Sequence, residues 1–193
     1  MLEVLFAYFE RNVTLSDEDK AQLRAVIQPR SLKKGEFLQR EGDIAKYGAF
    51  VAEGFLRSYV IDNKGKEHII QFAPENWWIS DKAGMTADAK ASYFIDAIED
   101  STVLLTDLPG HLSLLEKVSG YGAMFLAGTQ KRGVAKDKRI VDSLTATAEE
   151  RYTSFLTMYP SIAQRVPQHM LASYLGITPE TLSRIRKLQS KRK

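Results

Sequence analysis

The chain contains no cysteine, which excludes disulfides, thiol nucleophiles, thiolate zinc sites and iron–sulfur clusters together. Histidine is scarce too. His68, His111 and His169 are scattered without ligand spacing, so no metal site is expected. No Ser-His-Asp arrangement or clear carboxylate pair emerges, so no catalytic residue is assigned, and neither an enzyme nor a cofactor is expected. Both the GxxxxGK[ST] loop and a strand-coupled GxGxxG are missing, which disfavours a nucleoside-triphosphate enzyme. No apolar run is long enough to span a bilayer. The opening MLEVLFAYFERN lacks a basic n-region and carries Glu3 and Glu10, so it does not read as a signal peptide. A cytoplasmic protein with no membrane partner is the expectation.

The 193 residues suit one sizeable domain with a small appendage. The net charge of +3 is modest but unevenly placed. Ser161 to Lys193 holds seven Lys/Arg, including Lys191, Arg192 and Lys193, against the single acid Glu180, so this tail is where a polyanion would bind.

Residues 1 to about 28 read as helical. Leu2, Leu5, Phe6 and Phe9 share one face, and Ser16 with Asp19 opens a second, turn-rich segment ending near Pro29. From Leu32 to about Asp107 the pattern changes to short alternating runs: FLRSYVI, KEHIIQFA and SYFIDAI, each followed by turn residues. Such spacing predicts a β-sandwich, barrel or roll. Gly35, Gly42, Gly54 and Gly65 fall at the breaks, where a positive φ is expected. Adjacent Trp77 and Trp78 suit core or interface packing better than a ligand pocket.

Helical spacing then continues to the end, apart from a Pro-bounded connection from Tyr159-Pro160 to Val166-Pro167. A short helix is predicted near Pro109 to Val118 and a long one from about Gly120 to Leu144. In the latter, Ala127, Val134 and Val141 recur every seven residues beside Leu126, Ile140 and Leu144. The stripe is either a dimer seam or a face packed on the chain's own β-domain. Thr147 and Glu150 match a capping box for a helix carrying Tyr152, Phe155, Leu156 and Tyr159.

The most informative segment is Val166 to Leu188. Met170, Leu171, Leu175, Ile177, Leu182 and Ile185 supply the apolar positions of two short helices, with Gly176 for the turn between them. Thr178 suits the N-cap, Pro179 the first helical position, and Glu180 the positive first turn. Glu180, Thr181, Ser183, Arg184 and Lys187 then form an exposed face able to meet phosphates and base edges, with Arg186 nearby. A plain amphipathic hairpin with a solvated basic face is the competing interpretation.

With these features together, the chain resembles the Crp/Fnr superfamily, the cyclic-AMP receptor protein and its relatives. Ala172, Gly176, Ile177, Thr178, Glu180, Thr181, Leu182, Ser183, Arg184 and Ile185 match the family's recognition motif. The resemblance covers nearly the whole chain. It implies an α+β fold: an N-terminal β-roll sensor with flanking helices over residues 1–118, a long dimerisation helix over 119–145, and a small helix-turn-helix domain over 146–193. It further implies a homodimer reading a pseudo-palindromic site in double-stranded DNA. Gln168, Thr178, Glu180, Thr181, Ser183, Arg184 and Lys187 are the expected DNA-binding residues, with Glu180 and Arg184 reading bases. An unidentified small-molecule effector and RNA polymerase are the other implied partners.

The sequence departs from the family in three places. Pro179 replaces a base-contacting arginine, so the target sequence should differ. The sequence ends five residues after Leu188, leaving no room for the usual β-wing, so a weaker DNA contact is the expectation. In cyclic-nucleotide binders a Gly-Glu pair and an Arg-Ser or Arg-Thr pair hold the ribose and phosphate. Here Ser80-Asp81 and Ala91-Ser92 align with those elements, and Ala91 has no donor for an anion. Lys82 or Lys90 could substitute only from a shifted position. These four aligned residues mark a candidate effector pocket, and cyclic AMP is not its expected ligand. The lack of cysteine also excludes the oxygen-sensing cluster of the fumarate–nitrate branch. The alternative function is a β-roll ligand-binding signalling module that does not bind DNA.

Overall fold

The computed structural model describes residues 1–81 and 90–190; Lys82 and the terminal Lys191, Arg192 and Lys193 lie outside the described residues. The chain divides into two compact units. The first comprises residues 1–60 and 71–128, and the second residues 61–70 and 129–193.

The alternating runs form two four-stranded sheets. One has the order β1 (Gln28–Leu32), β8 (Ser101–Asp107), β3 (Tyr47–Glu53), β6 (Trp78–Ile79). The other has the order β2 (Phe37–Gln39), β7 (Phe94–Ala97), β4 (Leu56–Ile61), β5 (Glu67–Ala73). Because side chains alternate across a strand, neighbouring residues serve different cores. Val51, Val103 and Leu105 of the first sheet meet Leu56, Ile95 and Ala97 of the second in the sandwich interior. Phe50 and Leu104 face the other way, into a cluster with Leu5, Phe6, Phe9, Leu23 and Leu114 from the helices. Burying each such Leu or Phe stabilises by about 1.5–3 kcal/mol relative to exposure.

Those helices are α1 (Leu2–Phe9), α2 (Asp17–Val26) and α3 (Leu108–Lys117). Ser16 caps α2 through a reciprocal box with Asp19, whose carboxylate also accepts the Ser119 N–H. The sequence reading placed the end of the helical region near Pro29 and the first strand at Leu32. In fact α2 stops at Val26, and Pro29 sits inside β1, opposite Leu104. A strand tolerates proline there because β1 is at the sheet edge, where one side of the backbone needs no ladder partner. The four glycines expected at breaks all have positive φ, as do Gly120 and Gly176. Trp77 packs against the sandwich core, and Trp78 lies 5.4 Å from Phe50, so both tryptophans serve packing.

The long helix α4 spans Tyr121–Thr145, close to the predicted range. It is followed by α5 (Ala148–Met158), α6 (Pro160–Arg165), α7 (Gln168–Leu175) and α8 (Pro179–Ser190). Thr147 and Glu150 form the expected capping box. The Pro-bounded connection is a six-residue helix, α6, since Pro160 suits the first helical turn as well as a loop. Tyr152, Phe155, Ile162, Leu171, Leu175, Leu182 and Ile185 are buried in this second unit. No helix among the described residues is long and apolar enough to cross a membrane.

Candidate nucleic-acid interface and effector pocket

The second unit presents α8 by local chemistry that is easy to trace. Helix α7 ends at Gly176, whose φ of 66° is left-handed, and the amides of Gly176 and Ile177 donate to the carbonyls of Ser173 and Ala172. A side chain at that φ is strained, which is why glycine stands there. Two residues later the Thr178 hydroxyl accepts the Thr181 N–H at 3.2 Å and starts α8. Leu182 is 0% exposed and Ile185 is also buried, so the rotation of α8 is fixed by its core face. Glu180, Ser183, Arg184 and Lys187 consequently form an exposed stripe, with Arg186 exposed beside it and Thr181 half-buried. Arg184, Arg186 and Lys187 have no ion-pair partner among the described residues. Its own backbone N–H and the Thr178 hydroxyl lower the Glu180 carboxyl below its usual range, so it is an anion and an acceptor at neutral pH. Gln168 is exposed at the first position of α7, where Pro167 supplies no side-chain cap.

On α4 the seven-residue stripe is exposed in the single chain: Ala127, Val134 and Val141, with Leu126, Ile140 and Leu144 alongside. Val134 is 69% and Leu144 80% exposed, unusual for aliphatic side chains set in a regular row.

In the first unit the four candidate pocket residues come together. The Ser92 N–H donates to the Asp81 carboxylate at 2.6 Å, and the Tyr93 hydroxyl donates to the Ser80 carbonyl at 2.9 Å. Ala91 is buried, with its amide and carbonyl both engaged by the Asp43–Gly42 turn. Asp81 is only 1% exposed. A buried carboxylate thus lies beside this element, where a phosphate would need a cation. Lys90 is exposed and its backbone is bridged to Ile44. The buried Arg57 is held at 2.7 Å by Asp96 on the neighbouring strand.

Sequence reasoning missed a second group in the C-terminal unit. The Ser173 hydroxyl accepts the Ile69 N–H at 3.0 Å and donates to the Glu67 carbonyl at 2.8 Å. Arg139 donates to the carbonyls of Ile70 and Ile69 and lies 4.0 Å over the Tyr174 ring. These contacts join residues about 70 to 100 positions apart, and no local pattern signals them.

An antiparallel β-roll, a long helix with an exposed apolar row, and a helix-turn-helix with an exposed polar stripe define a class of two-unit DNA-binding regulators. Residues 29–117 match the cyclic nucleotide-binding domain family. The chain is 26% identical to a probable transcriptional regulator, flp, of Lacticaseibacillus casei, covering 88% of this chain and 80% of that one. It is 27% identical to the transcriptional activator anr of Pseudomonas aeruginosa, over 90% of this chain and 75% of that one. The structure of FixK2 from Bradyrhizobium japonicum superposes with a TM-score of 0.75 at 22% identity, covering 86% of each chain. These likenesses support a Crp/Fnr-type transcription regulator.

Proposed function

We propose that this regulator acts as a homodimer that inserts one α8 per subunit into successive major grooves of a pseudo-palindromic site. The carrying observation is the exposed Glu180, Ser183, Arg184 and Lys187 stripe on a helix whose opposite face is locked into the core. Arg184 suits guanine O6 and N7, and Glu180 suits a cytosine N4 donor. Thr178, Thr181 and Ser183 offer hydroxyls, Lys187 a phosphate contact, and Gln168 lies at the amide-rich start of α7, where a backbone phosphate is favoured. In this reading residues 1–118 are the sensor, 119–145 the dimer helix and 146–193 the DNA-binding domain, with the exposed row on α4 as seam. RNA polymerase is the further partner assigned through the family.

The effector is assigned to the β-roll but not to cyclic nucleotides. Asp81 repels a phosphate, and Ala91 supplies neither charge nor a side-chain donor. Calorimetry with cyclic AMP and cyclic GMP should show no micromolar binding; such binding would overturn this part of the assignment.

The DNA reading is tested by selecting bound sequences from random duplex DNA, followed by affinity measurements across salt concentrations. A pseudo-palindromic consensus and an affinity that falls steeply with salt are expected, since each neutralised phosphate adds about 0.9 to the logarithmic slope. No enrichment and a flat salt response would favour a β-roll ligand-binding module that does not engage DNA.

A further inference from the structure

A cavity of about 390 Å³ lies within the C-terminal unit, between α4, α5 and α7. Small-molecule sites span about 300–1,000 Å³, so this one is large enough for a compact organic ligand. Its apolar surface comes from Ile140, Phe155, Met158 and Leu175, with the rings of Tyr159 and Tyr174 beside them.

The charge balance of the lining is lopsided. Lys136, Lys138, Arg139 and Arg151 reach the cavity, whereas Asp142 is the sole acid of its lining among the described residues, and Asp142 is already paired with Lys138 at 2.9 Å. Both guanidinium groups are held by neutral carbonyls. Arg139 donates to Ile70 at 2.7 Å and Ile69 at 2.8 Å, and Arg151 donates to Ser143 at 3.3 Å and Ala146 at 3.2 Å. The Arg151 Nε is buried without a hydrogen-bond partner. Carbonyls orient a guanidinium but do not neutralise it, and a partly buried cation without a counter-charge is costly. Burial lowers the Arg139 pKa, the direction expected when no anion compensates the charge.

We propose that this cavity binds a small organic anion: one carboxylate on an aromatic or branched aliphatic body. The carboxylate lies toward Arg151, in a positive field to which Lys136 adds, and the body rests against Phe155, Met158 and Leu175. Lys136 has no ion-pair partner among the described residues, so it is available to a ligand. Such a ligand would touch Ser143 near the end of α4, Arg151 on α5 and the Gly176 turn, and would therefore bias how α8 is presented. That consequence rests on the DNA-binding reading; occupancy of the cavity does not.

The test is calorimetry of the full chain with naphthalene-2-carboxylate and, as the uncharged control, naphthalene-2-carboxamide. One site per chain is expected, with the carboxamide at least tenfold weaker. Ser154→Trp should fill the cavity and weaken binding at least tenfold, and Lys136→Gln should weaken it severalfold. Ala135→Phe, from the other wall, serves if Ser154→Trp fails to fold by circular dichroism. The proposal is overturned by absent saturable binding, by equal binding of the carboxamide, or by binding that survives cavity filling. Binding confined to a monomeric Val134→Asp variant would also overturn it, showing that a second copy occupies the space. DNA affinity is measured separately on the same samples, so failure of the DNA reading leaves the binding result interpretable.

Discussion

Arg184 and Lys187 lie almost one turn apart on the same exposed stripe of α8, yet they offer DNA different things. A guanidinium presents two parallel donors to guanine, whereas an ammonium is a point charge suited to phosphate. Arg184→Ala should cost about 1–3 kcal/mol on the preferred site and relax discrimination at one base pair per half-site. Lys187→Ala should weaken all sequences alike and reduce the salt slope by about one per subunit. Gel-shift titrations on consensus and single-mismatch duplexes at several salt concentrations separate the two. Unchanged affinity and base preference in Arg184→Ala would mean that α8 does not enter the groove as proposed.

Helix α2 shows how much one cap carries. The Asp19 carboxylate accepts from the Ser16 hydroxyl at 2.7 Å, the Ser16 amide at 2.9 Å and the Ser119 amide at 3.0 Å. These donors, the Ser16 hydroxyl foremost, hold its pKa below the ordinary 3.8. A depressed folded-state pKa gives stability that is present above the unfolded value and lost as the pH falls through the lower folded value. Asp19→Asn should therefore lower stability by about 1–2 kcal/mol near pH 7, with the deficit shrinking below about pH 4. Urea melts at pH 7 and at pH 3 check this; an equal deficit at both would reject the carboxylate's role. Caps of this kind were legible in the sequence because they depend on near neighbours: Ser16 with Asp19, Thr147 with Glu150, and Thr178 by its residue type ahead of Pro179. The Gly176 turn was legible for the same reason. Pro29 misled because a proline marks a break only where its missing N–H matters, and at a sheet edge it does not. The Ser173 and Arg139 contacts were invisible, since a serine on a helix carries no sign of the distant strand it will meet. Likewise, the alignment of Ser80-Asp81 and Ala91-Ser92 with the family's two pocket elements was readable, but the burial of Asp81 was not.

At the scale of the molecule, the exposed row on α4 is the proposed dimer seam. Water contact for Val134, Val141 and Leu144 is unfavourable by about 25 cal/mol per Å² of apolar surface, so a second copy that covers the row is stabilising. Val134→Asp should convert the dimer to a monomer at micromolar concentration, measured by light scattering, and DNA affinity should fall with it because one half-site grip is lost. A variant that stays dimeric would place the seam elsewhere. The discontinuous make-up of the C-terminal unit bears on a different matter, its portability. Residues 61–70 belong to this unit, and Ser173 satisfies the backbone of β5 much as a neighbouring strand would. A chimera that grafts residues 129–193 onto a foreign sensor would leave Ser173 and the Arg139 guanidinium without their native acceptors. The transplantable cassette is therefore two segments of sequence, and a fusion cut at the end of α4 would separate a reader from part of its own frame.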